Sequence, residues 1–121
     1  MAIGIDPAEN HLALGLSDEA VREMYRLMVL ARRLDDRMWA LSRQGRVPFV
    51  ISSSGHGGGQ VGAALALDRE VDWSIPYYRD TAFMIALGMT PEEILLGLFA
   101  KEGDPNGGGR SMPNHWSLPR L

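Results

Sequence analysis

Residues 17–45 read SDEAVREMYRLMVLARRLDDRMWALSRQG, and this one stretch decides the fold class. Val21, Met24, Tyr25, Met28, Ala31, Leu34, Met38 and Leu41 recur at three- and four-residue spacing, the pattern of one apolar stripe on a helix. Ser17 reads as its N-cap. Asp18 and Glu19 follow in the first turn, where negative charge suits the helix dipole. Gly45 supplies a left-handed stop. From Asp18 to Gln44 such a helix runs about 40 Å at ~1.5 Å per residue. Arg32, Arg33, Asp35, Asp36 and Arg37 fall mostly off the stripe and read as a solvated face.

Outward from this helix the signals are shorter. Residues 1–16 have no clear period and read as an arm. Val47 to Ile51 is a brief apolar run, followed by SSSGHGGG at residues 52–59. Gln60 to Leu67 is rich in alanine and leucine and predicts a short buried helix. Val71 to Tyr78 contains strand formers, but Pro76 demotes it to an edge or a loop. Thr81 to Leu87 predicts a helix closed by Gly88. Thr90-Pro91-Glu92-Glu93 is a strong helix start, with an N-cap threonine, proline at the first position and a capping-box glutamate. That helix turns Ile94, Leu95, Leu98 and Phe99 inward. Gly103 to Gly109 reads as a long flexible loop. A complete α/β domain alternates several buried strands with its helices, and strands are scarce here. The chain is therefore expected to be mainly α over this length, with apolar faces that need a partner. Self-association into a homo-oligomer is one expected outcome.

Composition narrows the function classes. A chain of 121 residues is one domain at most. Net charge is −3, and Lys101 is the only lysine among twelve cationic residues, so nucleic acid and anionic membranes are not expected partners. With no cysteine, disulfides, thiolate nucleophiles and cysteine metal sites are excluded. No apolar run approaches the ~20 residues of a membrane span. The N-terminus lacks the basic end and apolar centre of a signal peptide. A bacterial cytoplasmic protein is the expectation.

Two segments hold residues suited to chemistry. Pro76-Tyr77-Tyr78-Arg79-Asp80 places a phenol and a guanidinium just before a helix. A diphosphate is well held by a planar donor fork, a hydroxyl and backbone N–H groups at a helix start. Tyr78 and Arg79 offer the first two, and the helix beginning near Asp80 offers the third. On this stretch alone the simpler reading is ordinary packing, with Arg79 paired to Asp80. The second segment is GGGRSMPNH at residues 107–115. Pro113 stiffens the chain beside His115, and the glycine-rich loop can close over a ligand. His115 is suited to donating a proton or a hydrogen bond to a developing oxyanion, and is equally readable as a surface histidine. Gly55 to Gln60 is neither a Walker A loop nor a dinucleotide fingerprint, so His56 reads as a loop or interface residue. The three histidines share no metal-ligand spacing, and no metal site is expected from them.

Taken together, these segments resemble the N-terminal third of the α subunit of thiamine diphosphate-dependent 2-oxoacid dehydrogenases, with the branched-chain type nearest. The likeness runs from about Ser17 onward. It rests on MVLARRLDDR at residues 28–37, Phe49 six residues before Gly55, and Gln60-Val61-Gly62. It continues through DWSIPYYRD at residues 72–80, Leu87-Gly88-Met89, and GRSMPNH at residues 109–115. The order and spacing of these pieces are more specific than any one of them. The resemblance implies that residues 17–121 are a truncated N-terminal part of an α/β thiamine diphosphate-binding fold. It implies that Tyr78 and Arg79 bind the cofactor's diphosphate, that His115 is catalytic, and that Phe49 and Met112 line the substrate side-chain pocket. It implies thiamine diphosphate and magnesium as cofactors. The partners implied are the remaining half of the α subunit or a split counterpart, a β subunit, and a lipoyl acyltransferase core. The reaction implied is decarboxylation of a 2-oxo acid and transfer of the acyl group to lipoyl.

Two departures matter. The family's acidic residue is missing from Gly55-His56-Gly57-Gly58, and the Gly-Asp-Gly magnesium motif lies beyond Leu121. The 121-residue chain is accordingly expected to be inactive by itself. The competing reading is a non-catalytic helical oligomerisation or interaction module derived from the same family. The absent metal motif favours the module, and the retained Tyr78, Arg79 and His115 favour the enzyme.

Overall fold

In the computed structural model, which describes residues 11–117, Ser17 Oγ accepts from the Ala20 N–H at 3.1 Å and opens helix α1, Asp18–Arg43. The first ten residues of the N-terminal arm lie outside the described residues, as do the last four of the chain. Gly45 closes α1 as its sequence requires. Its φ is +69°, Arg46 N–H reaches Leu41 O at 3.0 Å, and Gly45 N–H reaches Ser42 O at 2.9 Å. This double bond around a left-handed residue satisfies carbonyls that the helix end otherwise leaves open.

Three shorter helices follow: α2 (Gly57–Leu65), α3 (Thr81–Ala86) and α4 (Pro91–Leu98). Helix α2 packs on both α1 and α3, and α1 also reaches α3. The shared core is centred on Met38, Val61, Ala82, Met84 and Ile94, each at most 2% exposed. Among the described residues there is no strand. The 71–78 stretch is a loop, as Pro76 implied, and it leaves Trp73 and Ile75 almost wholly exposed.

The stripe on α1 is buried only in part. Leu27, Ala31, Leu34, Met38 and Leu41 are buried, whereas Tyr25 is 66% exposed and Val21 is half-buried. Length explains this. A helix of 26 residues outruns the nine- and six-residue helices α2 and α3 that it packs on, so its first turns extend past them. The charged face also needs one correction. Arg32, Arg33, Asp36 and Arg37 are exposed, but Asp35 is only 2% exposed. Helix α2 likewise differs from its expected bounds, because the glycine run itself is helical and the element begins at Gly57.

Helix α4 starts with the full capping box. Thr90 Oγ1 accepts from Glu93 N–H at 3.2 Å, and Glu93 Oε2 accepts from Thr90 N–H at 2.8 Å. After α4 comes the stretch expected to be flexible. The structure instead winds it around one buried carboxylate. Asp104 accepts from the backbone N–H groups of Asn106 (3.0 Å), Gly107 (3.2 Å) and Gly109 (3.2 Å), and from the Asn106 amide at 2.9 Å. Gly109 is required here: its φ is +73°, and a Cβ would lie 2.5 Å from the Ala100 carbonyl carbon.

The end of α4 holds a local strain. Lys101 N–H bonds Leu96 O at 2.9 Å and Ala100 N–H bonds Gly97 O at 3.0 Å, the same closure that ends α1. Here the left-handed position is filled by Ala100, with φ +50°. An alanine in that region costs about 1–2 kcal/mol. Ala100→Gly is therefore expected to stabilise the chain by about 0.5–1 kcal/mol after the added freedom of the unfolded state is subtracted. A higher denaturation midpoint for the variant is the expected result.

Candidate functional site

The loop 76–80 has no ladder or helix to fix it, so side chains do so. Gln60 of α2 is the central one. Its Nε2 donates to Arg79 O at 3.0 Å and to Asp80 Oδ1 at 3.1 Å, while its Oε1 accepts from Ala82 N–H at 3.1 Å. Asp80 Oδ2 accepts from Tyr77 N–H at 2.8 Å. The carboxylate of Asp80 is thus occupied inside the turn, and Arg79 turns instead to Ser52 O, with Nη1 donating at 2.8 Å. The expected Arg79–Asp80 pairing is replaced by these bonds.

The same arrangement engages part of the α3 start. Ala82 N–H is already bonded to Gln60, and the Asp80 carboxylate stands beside the same helix end. Beside that helix end stand the Arg79 guanidinium and the Tyr78 hydroxyl. A guanidinium carries five N–H donors, and the contact with Ser52 commits one nitrogen.

Tyr77, Tyr78 and Arg79 form a stacked group. The two phenol rings lie with centroids 3.8 Å apart, and the Arg79 Cζ sits 5.4 Å from the Tyr78 ring centre. The side-chain hydrogen bond from Tyr77 holds the Tyr78 phenol below its usual range, with hydrogen bonding and charge from Arg79 acting in the same direction. Tyr77, the donor of that bond, is pushed up.

His115 lies on the loop after Asp104. Its Nδ1 is 3.0 Å from Met112 O and 3.4 Å from Pro113 O. A carbonyl only accepts, so the ring proton belongs on Nδ1 and the exchangeable lone pair on Nε2. The loop is tied to the tyrosine turn next door: Trp116 Nε1 donates to Tyr77 O at 2.8 Å. Ser117 N–H reaches Asn106 Oδ1 at 2.9 Å and holds the loop to the Asp104 turn.

Phe49 and Met112 come together. They line one groove of about 340 Å³ with Phe99, Arg46 and Arg110. Phe49 is half-buried and Met112 is 59% exposed, so both present surface to it. The structure thus unites Phe49 with Met112, and Tyr78 with Arg79. His115 is linked to the second group through Trp116. Gln60 and Asp104, which hold the two loops, were missed. A long-range amide bridge has no local signal, but the Asp104-Pro105-Asn106-Gly107 turn composition does carry one. Among the described residues there is no cluster of three acidic or histidine side chains able to hold a metal, and no helix long and apolar enough to cross a membrane.

Gln60→Leu is expected to destabilise the fold by about 2 kcal/mol, because it leaves the buried Ala82 N–H and the Arg79 carbonyl without partners. Gln60→Glu is expected to cost more at neutral pH, since it sets a carboxylate against Asp80. Part of that extra cost should vanish as pH falls through the carboxylate range. Chemical denaturation across pH measures both.

Residues 25–117 match the family described as the dehydrogenase E1 component. The chain is 55% identical over 106 residues to the 2-oxoisovalerate dehydrogenase subunit alpha of Bacillus subtilis, an alignment covering 88% of this chain and 32% of that protein. It is 38% identical over 92 residues to the pyruvate dehydrogenase E1 component subunit alpha of Mycoplasma genitalium, covering 76% and 25%. With the 3-methyl-2-oxobutanoate dehydrogenase subunit alpha of Mycobacterium tuberculosis it shares 34% identity over 91 residues, covering 75% and 24%. The chain spans about a third or less of the length of these relatives.

Proposed function

The chain belongs to the dehydrogenase E1 component family, and from that membership we propose that it is the N-terminal part of the α subunit of a branched-chain 2-oxoacid dehydrogenase. One observation carries the substrate class. Identity is 55% over 106 residues to a 2-oxoisovalerate dehydrogenase subunit, against 38% over 92 residues to a pyruvate dehydrogenase subunit. The groove shared by Phe49, Met112 and Phe99 supports it too, because those side chains, beside Arg46 and Arg110, suit a branched aliphatic group.

The reading assigns each residue a task its surroundings suit. Arg79 and Tyr78 hold the diphosphate of thiamine diphosphate, the guanidinium by charge-assisted hydrogen bonds and the phenol by donation. When bound, the cofactor supplies the electron sink for decarboxylation. His115 moves a proton at Nε2, the nitrogen left open once Nδ1–H is engaged by Met112 O. Phe49 and Met112 contact the substrate side chain. Residues 11–117 show no metal cluster that fits magnesium, and the proposal assigns that ion's ligands to other parts of the protein. The partners proposed are the rest of the α subunit, a β subunit and a lipoyl acyltransferase core. The exposed row of Val71, Trp73, Ile75 and Tyr77 supports a covered surface in the assembled protein.

The test separates the roles of Arg79 and His115 in the enzyme assembled from the full α subunit and its β subunit. Arg79→Ala is expected to raise the half-saturating thiamine diphosphate concentration by ~10-fold or more, the loss of a charge-assisted hydrogen bond. His115→Ala is expected to leave that concentration nearly unchanged and to slow acyl transfer by ~10²-fold or more. Equal losses of cofactor affinity in both variants, with His115→Ala turning over normally at saturating cofactor, would overturn the assignment.

A further inference from the structure

The chemistry proposed above makes no use of Asp35, yet this carboxylate is the most buried acidic group among the described residues, at 2% exposure. Its oxygens are divided between two neighbours in sequence. Oδ2 accepts from Ser52 Oγ at 2.7 Å, and Oδ1 accepts from Ser53 N–H at 3.0 Å. Ser52 Oγ in turn accepts from Ser54 N–H at 3.1 Å. These bonds fix three successive residues of a loop that has no regular structure. The carbonyl left over is that of Ser52, and it accepts from Arg79 Nη1 at 2.8 Å.

The geometry points to Asp35 as a positioning residue for Arg79, acting through the Ser52 carbonyl. An arginine side chain has many rotamers, and an acceptor at a fixed place selects one of them. That acceptor is itself fixed only because Asp35, seated in the middle of α1, anchors the loop from below. Gln60 holds the backbone of Arg79, and Asp35 holds the site its guanidinium leans on. The inference rests on the reading of Arg79 as a diphosphate ligand.

A plain structural staple would also lower stability when removed, so the deciding variants are conservative ones. Asparagine at this position can accept from Ser53 N–H and donate to Ser52 Oγ, keeping both links without charge. Positioning through Arg79 further requires that the two residues not act independently.

The experiment titrates thiamine diphosphate into the enzyme assembled from the full α subunit and its β subunit, with melting temperature followed in parallel. Asp35→Ala is expected to raise the half-saturating cofactor concentration about 5-fold or more, with kcat at saturating cofactor within about twofold. Asp35→Asn is expected to restore wild-type half-saturation to within about twofold, and Asp35→Ala is expected to add less than about twofold to Arg79→Ala. Ser52→Ala, which removes only the hydroxyl link, is expected to give a shift of about 3-fold, and it carries the decision if Asp35→Ala does not fold. An unchanged cofactor response in Asp35→Ala or Ser52→Ala, beside a weakened one in Arg79→Ala, overturns the positioning role and leaves the diphosphate reading intact. Multiplicative losses in the double variant, or failure of Asp35→Asn to restore affinity in a folded protein, overturn it as well. No effect of Arg79→Ala overturns the diphosphate reading itself, and this inference with it.

Discussion

Helix α3 is six residues long, well below the length at which a helix sustains itself in water, and the Gln60 side chain fixes where it begins. One amide caps the helix at Ala82 and ties down the Arg79 carbonyl and the Asp80 carboxylate. Gln60 can do this because α2 is built from glycine, alanine and valine. Val61 and Ala64 are buried, and the small side chains let α2 settle against both α1 and α3. Close packing brings the amide into reach, and the amide then determines the shape of the turn that carries Tyr78 and Arg79.

Side-chain hydrogen bonding holds other loops as well. Carboxylates stand in for the regular ladders that these loops lack: the buried Asp35 under residues 52–54, the half-buried Asp80 inside its own turn, and the buried Asp104 under residues 106–109. Each accepts from at least one backbone N–H, and where that group is buried an unmade hydrogen bond costs more than a made one contributes. Trp116 and Ser117 then join the last of these loops to the tyrosine turn and to the Asp104 turn. The candidate site is therefore a set of loops held to a helical frame by a few polar contacts. Small displacements in the frame reach Arg79 and His115 through named bonds.

The helices were legible because their signals are local. Ser17, Gly45, Gly88, Thr90 and Glu93 act on neighbours within one turn, and each behaves as its type dictates. The extent of burial along α1 was not legible, because the apolar stripe does not reveal how short the partner helices are. The bonds from Asp35 to Ser52 and from Gln60 to Ala82 span 17 and 22 residues in sequence, and no period or cap predicts contacts of that range. Asp35 was misread for a specific reason: it sits in a run of charges whose other members are exposed, and nothing local separates it from them. Phe49 and Met112 were paired by resemblance alone, and the groove they share gives that pairing a physical basis.

The most direct test of the account is a crystal structure of the assembled enzyme with thiamine diphosphate bound. The account predicts Arg79 and the Tyr78 hydroxyl within hydrogen-bond distance of diphosphate oxygens, with Nη1 of Arg79 still on the Ser52 carbonyl and Gln60 still bridging Arg79, Asp80 and Ala82. A diphosphate bound without contact to Arg79, or an Arg79 that has swung off Ser52 to reach it, would contradict the account.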